Sequence, residues 1–248
     1  MSEIEAIYTV WLREMIRYFR QKERIIGSLV MPIFWLLIFG GSMGSSIDID
    51  NVDYRSFITP GIIAMSLMFT SVMSGISIIW DKELGFMKEM LVSPVSRLSI
   101  VIGKALGTST TAIIQGLMVM LISIAIGLKI SLATFLLVIP IMLLISLGLV
   151  GIGISIGSLM NNVEGFQLIM NFLVMPMFFL SGALFPIKNL PNFLKILPYI
   201  DPLTYGVELL RYVIIGVSNI PVTVSLSVVV GFSILMMSLS AWLFSRRN

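Results

Sequence analysis

The chain reads as an all-α integral membrane protein with six transmembrane helices, and three observations carry that reading. Of its 248 residues 57% are hydrophobic and only 12% charged, with a mean hydropathy of +1.03. That is too little charge to cover the surface of a soluble protein of this length. Apolar blocks at 25–47, 56–80, 103–128, 132–160, 163–186 and 221–245 each reach the roughly 20 residues that a helix needs to cross a ~30 Å hydrocarbon core. The blocks are continuous rather than alternating, so their backbone hydrogen bonds close within helices and not between the strands of a barrel. Few residues remain for a separate soluble domain, and the chain is one integral unit.

Residues 1–24 precede the first span. Ile4, Ile7, Tyr8, Trp11, Leu12, Met15, Ile16 and Phe19 recur near helical spacing, with Glu5, Arg13, Arg17 and Arg20 largely on the other side. That pattern predicts an amphipathic helix lying in the membrane interface. Charge continues through the segment without an apolar core or small-residue cleavage site, so it does not read as a removable signal peptide. The loop after span 1 is acidic, with Asp48, Asp50 and Asp53 against Arg55, the only basic residue between Ile25 and Trp80. Placing both termini in the cytoplasm puts 11 of the 16 basic residues inside. The positive-inside rule therefore predicts a multi-pass cell-membrane protein with cytoplasmic N- and C-termini.

Residues 81–97, between spans 2 and 3, concentrate charge. Leu84, Met87, Met90 and Leu91 recur at helical spacing, predicting a short two-faced helix on the cytoplasmic side. Ser93-Pro94 ends it, because the residue before proline is pushed out of the α region, and Ser96 is placed to cap the next helix. A plain interfacial loop fits the patterning as well. Residues 187–216, between spans 5 and 6, are proline-rich and too discontinuous to span. They predict a folded external elbow over Pro186–Pro202 and a short helix over Leu203–Ile215, in which Glu208 and Arg211 lie three residues apart and are able to pair. Gly153-x-x-x-Gly157 and Gly40-x-x-x-Gly44 allow close approach of helices.

Several chemistries are excluded. Without Cys or His there are no disulfides, thiolate metal sites or imidazole acid–base groups. Gly103-Lys104 lacks the upstream glycine and the following Ser or Thr of a phosphate-binding loop. No pair of acids lies deep in the spans, and no evident base activates the many hydroxyls. The chain is not expected to be an enzyme, nor to bind a cofactor, a metal or nucleic acid.

Two blocks resemble a known family. Asp81-Lys82-Glu83-Leu84-Gly85, then Ser93-Pro94-Val95-Ser96-Arg97 and Gly103-Lys104, are similar to the membrane subunit of ABC-2 type exporters. Leu180-Ser181-Gly182-Ala183, Leu190-Pro191 and Pro202-Leu203-Thr204-Tyr205, with Arg211 six residues after Tyr205, resemble that family's C-terminal signature. Val174 is a mild aliphatic departure from it. The resemblance runs over nearly the whole chain.

The resemblance implies six transmembrane helices with an N-terminal connecting helix, a cytoplasmic coupling helix between spans 2 and 3, and an external re-entrant helical segment between spans 5 and 6. It implies a second permease copy, either identical or a sister subunit, and a separate ABC ATPase subunit that carries ATP and Mg. The coupling helix, Asp81–Leu91, would then act as a lever. Glu83 and Lys88 are candidates for charged contact with the ATPase, Leu84 and Met87 for filling its cleft, and Gly85 for close backbone approach. Ser93 and Pro94 end the lever. Arg97 would anchor to lipid phosphate or to the N-terminal helix. Spans 2 and 5 would line the substrate path with Phe69, Met73, Phe172, Met175 and Phe179, a polarisable apolar surface suited to lipophilic or amphipathic cargo. Pro202, Tyr205, Glu208 and Arg211 would shape the external elbow. The expected function is ATP-driven export of a hydrophobic small molecule of drug or antibiotic type. A lipid-linked polysaccharide permease and a non-transporting membrane scaffold or sensor remain alternatives.

Overall fold

The computed structural model describes residues 2–42, 48–49, 52–87, 95–189 and 191–247. Among these the chain forms α1 (Glu3–Arg20), α2 (Lys22–Ser42), α3 (Tyr54–Val72), α4 (Gly75–Glu83), α5 (Arg97–Ala125), α6 (Leu132–Leu159), α7 (Val163–Leu180), α8 (Leu197–Ile200), α9 (Pro202–Ile215) and α10 (Val222–Arg247). A two-residue antiparallel pair, β1 (Asp48–Ile49) with β2 (Val52–Asp53), sets Asp48 opposite Asp53. The architecture is all-α in every other respect.

Five segments are long and apolar enough to cross a membrane: Tyr54–Glu83, Arg97–Ala125, Leu132–Leu159, Val163–Leu180 and Val222–Arg246. α1 and α2 taken together, bent by 72° at their junction, give a sixth candidate. After this bend α1 packs chiefly on α5. A capping box starts α1: the Ser2 hydroxyl accepts from the Glu5 N–H, and the Glu5 carboxylate accepts from the Ser2 N–H. The apolar residues of α1 do not form one packing face, however. Ala6, Met15 and Tyr18 are buried, whereas Ile4, Tyr8, Leu12, Ile16 and Phe19 remain exposed along the outer side.

Three boundaries differ from the sequence pattern. The second span runs on to Glu83 and takes up the first residues of the predicted lever. It is interrupted only at Met73–Ser74, between α3 and α4. The third starts at Arg97 rather than 103, because the Ser96 hydroxyl caps it by accepting from the Ser99 N–H at 3.1 Å. The fifth stops at Leu180 rather than 186, where Gly182 takes φ +74° and turns the chain.

α3 forms the centre of the bundle, buried nearly continuously from Phe57 to Met68 and packed by α2, α5, α6 and α9. Crossings this tight need residues without a Cβ. A Cβ on Gly103 would lie 2.7 Å from the Val10 side chain, and one on Gly107 would lie 2.7 Å from that of Glu14. These two glycines seat α1 on α5. Gly153 and Gly157 do the same for α6 against the α3–α4 junction, where added Cβ atoms would fall 2.4 Å from the Val72 carbonyl and 2.5 Å from that of Gly75. Their spacing serves packing inside one chain. α7 contributes only the stripe Phe166, Met170, Val174 and Phe178 to the core. Leu168, Phe172, Met175 and Phe179 stay exposed on it.

Candidate functional site

At the α1 end of the bundle a buried ion cluster joins three helices. The Asp81 carboxylate, near the end of α4, accepts from Arg13 of α1 at 2.7 Å and from Lys104 of α5 at 2.5 Å. Lys104 also donates to the Ser77 hydroxyl at 3.3 Å and lies 3.7 Å from the Glu14 carboxylate of α1. Asp81 and Lys104 are almost inaccessible, at 1% and 2% exposure. Buried charge is tolerated only when paired in this way. The two fragments of the first motif, Asp81 and Lys104, are thus held together by the fold.

Past Asp81 the predicted lever is not one helix. α4 ends at Glu83, Gly85 takes φ +79°, and helical backbone resumes at Phe86–Met87. Lys88, Ser93 and Pro94 lie outside the described residues. Glu83 and Leu84 are exposed at this corner, as is Phe86, whose ring lies 5.6 Å from the Arg13 guanidinium. Met87 is buried at 4% exposure with Ile78, Ile100 and Val101, so it fills this chain's own core rather than a partner's cleft. Gly85 is required by its left-handed conformation, for a Cβ there would meet open space within this chain. Arg97 donates to the Ser245 carbonyl near the end of α10, not to α1. The last carbonyls of a helix attract cations, and Lys82 does likewise for α6 through the Ser158 carbonyl at 2.7 Å. Of the two anchors expected for Arg97, lipid phosphate or α1, the α1 contact is made instead by Ser96 and Ser99, whose hydroxyls donate to Glu3. These bonds hold the Glu3 carboxyl below its ordinary value of 4.5, Ser99 contributing most.

Beside the ion cluster lies a partly open cavity of about 420 Å³, lined by α1, α2, α3, α5 and α7 and reached by the first turn of α4. Glu14 and Arg17 stand at its α1 end. Phe69, Met73, Met175 and Phe179, four of the five residues expected on a substrate path, line it together with Trp35 and Phe178. Phe172 does not: it is 82% exposed on the outer face of α7. A polar belt crosses the cavity. Thr70 of α3 donates to the Gln115 side chain of α5, whose amide nitrogen donates to the Ser28 hydroxyl of α2 at 2.5 Å. Neither this belt nor Trp35 was picked out from sequence. The signal present was Gln115, the sole amide in its span, in a setting where an unsatisfied amide is costly.

The opposite end is closed by the elbow. Asp201 caps α9 by accepting from the Leu203 N–H at 2.9 Å, Pro202 occupies its first turn, and the Tyr205 hydroxyl donates to the Tyr199 carbonyl at 2.8 Å. Glu208 and Arg211 are fully buried and ion-paired. Arg211 also donates to the Gly182 carbonyl at 2.7 Å and lies 4.2 Å from the centre of the Phe57 ring. Glu208 accepts from the Ser218 hydroxyl at 3.0 Å and from the Asn219 N–H. One pair thereby ties α9 to the end of α7, to α3 and to the turn before α10. Arg55 staples the same end by donating to the Gly40 carbonyl at 3.1 Å and the Ile126 carbonyl at 2.7 Å.

The family model of the ABC-2 type transporter matches residues 5–215, from α1 through α9. The chain belongs to the ABC-2 type transporter family. Among similar proteins, the inner membrane transport permease YadH of Escherichia coli is 25% identical over 237 residues, 92% of this chain and 90% of its own length. The putative transport permease ycf38 of Porphyra purpurea is 27% identical over 223 residues, covering 86% of this chain and 74% of that one. The probable multidrug ABC transporter permease YbhR of E. coli is 29% identical over 164 residues, 66% of this chain and 45% of that protein. This ABC-2 chain is therefore a multi-pass permease subunit of an ABC transporter, and membership implies association with an ATPase subunit. In the ABC-2 chain both motif blocks have structural partners: the first builds the ion cluster, the second the elbow.

Proposed function

We propose that this chain is the permease half of an ATP-driven exporter that moves a hydrophobic or amphipathic small molecule out of the cytoplasm. The single observation behind the reading is the position of the cavity. It carries four of the aromatic and Met residues expected on a path, and its α1 end is lined by Glu14 and Ser77, both of which contact Lys104 of the ion cluster that leads into the exposed corner at Glu83–Gly85. Both termini lie at that same end, since Glu3 bonds Ser96 and Arg97 bonds Ser245. The charge count supports the cytoplasmic side for this end.

A separate ATPase subunit, holding ATP and Mg, would dock on the Glu83–Gly85 corner and the segment that follows it. Displacement there pulls on Asp81, and through Arg13 and Lys104 on α1 and α5 together, so the cavity walls move with the cluster. Contacts that differ between ATP-bound and ATP-free partner are what a change of state requires. A second permease copy would cover the exposed face of α7. An aromatic and Met-lined volume of this size favours a small molecule over a glycan chain, in keeping with the multidrug name of YbhR.

Co-purification from native membranes, with ATPase assays of the wild type and Glu83→Ala, tests the reading. A stand-alone ATPase should accompany the chain, and Glu83→Ala should loosen that complex or uncouple its hydrolysis. Purification without a nucleotide-binding partner would favour a non-transporting scaffold.

A further inference from the structure

α1 carries six charged side chains, and the fold engages four of them. Glu3 accepts from Ser96 and Ser99, and Glu5 closes the capping box with Ser2. Arg13 donates to Asp81, and Glu14 faces Lys104 at 3.7 Å. Arg17 and Arg20 are left over. Among the described residues neither guanidinium pairs with a carboxylate or donates a hydrogen bond, whereas Arg13, Arg55, Arg97 and Arg211 all do. Each therefore presents an open fork of N–H donors. The negative end of the helix dipole favours cations in this last turn, but it does not fill those donors.

Their surroundings say what kind of molecule could. Arg13, Arg17 and Arg20 recur at helical spacing and so share one face of α1. The Arg17 guanidinium lies over the Trp80 ring at 5.2 Å, and Trp80 itself is 36% exposed. Beside this basic row runs an exposed apolar one, Ile4, Tyr8, Leu12, Ile16 and Phe19. The two rows are offset by one residue, roughly a quarter of a turn. Past the bend, α2 continues the apolar surface with Ile26, Val30 and Phe34, all exposed. A soluble acidic partner would fill the forks and leave the apolar rows in water. An anionic phospholipid matches both: its phosphate suits a bidentate guanidinium, and its acyl chain suits the rows. Phosphatidylcholine brings its own cation to the same place, so a headgroup of net negative charge is preferred. An exposed Trp at headgroup level is in keeping with that depth.

We propose that Arg17 and Arg20 clamp the phosphate of one anionic phospholipid from the leaflet on the α1 side, with Trp80 against the headgroup and the acyl chain along the exposed face of α2. The clamp lies one turn from Arg13, the α1 member of the ion cluster, so lipid charge and the cluster act on the same helix. The site does not depend on what the permease carries.

The test is native mass spectrometry of the full-length protein in detergent micelles, titrated with dioleoyl phosphatidylglycerol or dioleoyl phosphatidylcholine. The wild type should hold one phosphatidylglycerol at least tenfold more tightly than phosphatidylcholine. Arg17→Gln and Arg20→Gln should each lose about fivefold of that preference, and the double variant about 25-fold. Melting temperature should not fall, because neither guanidinium hydrogen-bonds another part of the chain. Arg246→Gln removes a cation that is likewise stacked on a tryptophan, Trp242 at 4.6 Å, but lies on α10, and it should leave the preference intact. Equal binding of the two lipids, an unchanged double variant, or an equal loss in Arg246→Gln would each overturn the proposal. So would displacement of the lipid by inorganic phosphate at matched concentration, which would make this a site for the free ion. If the double variant keeps its lipid but loosens a co-purified ATPase, the patch docks protein and the proposal falls. None of these failures touches the permease reading, which stands or falls on the ATPase itself.

Discussion

Two buried charge clusters, one at each end of the bundle, are built on different plans. At the elbow end Glu208 and Arg211 sit one turn apart on the same helix, and their remaining bonds go to Gly182, Ser218 and Asn219. Relative motion of α3, α7 or α10 would leave a fully buried ion short of partners, so this cluster holds its neighbours as one block. At the α1 end every ion pair joins two different helices, and Lys104 has a second carboxylate, Glu14, at 3.7 Å. A cluster with an alternative partner can pass between arrangements without stranding a charge. On the proposed reading, one plan would lock and the other would transmit. A transporter requires both, because a force applied at one end moves the cavity walls only if the other end does not yield.

The contrast can be broken at several points, and the largest effect is expected at the elbow. Arg211→Ala should destabilise by about 3–5 kcal/mol, the usual cost of stranding one member of a buried pair. It would be read as loss of folded protein in a detergent thermal-shift series. Replacing both members, Glu208→Gln with Arg211→Met, should recover a large part of that loss.

Asp81→Asn should cost less, about 1–3 kcal/mol, because Glu14 remains near Lys104. Its main effect should be functional: hydrolysis by the co-purified ATPase should lose its response to transported substrate. If Asp81→Asn proves as destabilising as Arg211→Ala, both clusters are merely structural and the distinction fails.

Gly103→Ala tests the seat of α1 separately from the charges. The added methyl meets Val10 at 2.7 Å and the Ile7 carbonyl at 2.9 Å, an overpacking that costs about 1–3 kcal/mol. A spin-label distance from α1 to α5 should lengthen, and the ATPase response should weaken without loss of the folded bundle.

The smallest effect is expected at Glu3. Its carboxyl is held below 4.5 by Ser99 and Ser96, so the folded state binds its proton less readily than the unfolded one. The resulting stabilisation is present above pH 4.5 and is lost as the pH falls through the folded value. The same α1–α5 distance should broaden in acid, and Glu3→Gln should remove that dependence.

Periodicity and composition were enough for the all-α class and for five to six long apolar spans, because long apolar runs in lipid have few ways to close their backbone bonds. The Glu208–Arg211 pair was legible because an i,i+3 spacing on one helix is a local fact. Ser96 as a cap was legible for the same reason.

What depended on distant segments meeting was decided only by the tertiary structure. Sequence could propose Arg97 as an anchor, but not that the Ser245 carbonyl, 148 residues away, would take it. It could offer Met87 for a partner's cleft, yet the fold buries it with Ile78 and Ile100. The left-handed turns at Gly85 and Gly182 broke runs that composition read as continuous, since hydropathy contains no backbone angle. Above all, the cavity exists because Ser28, Trp35, Ser66, Thr70 and Gln115 are brought from three helices to one volume. Each is an ordinary residue in its own span. Only the packing of α2, α3 and α5 determines which hydroxyls find a partner and which do not.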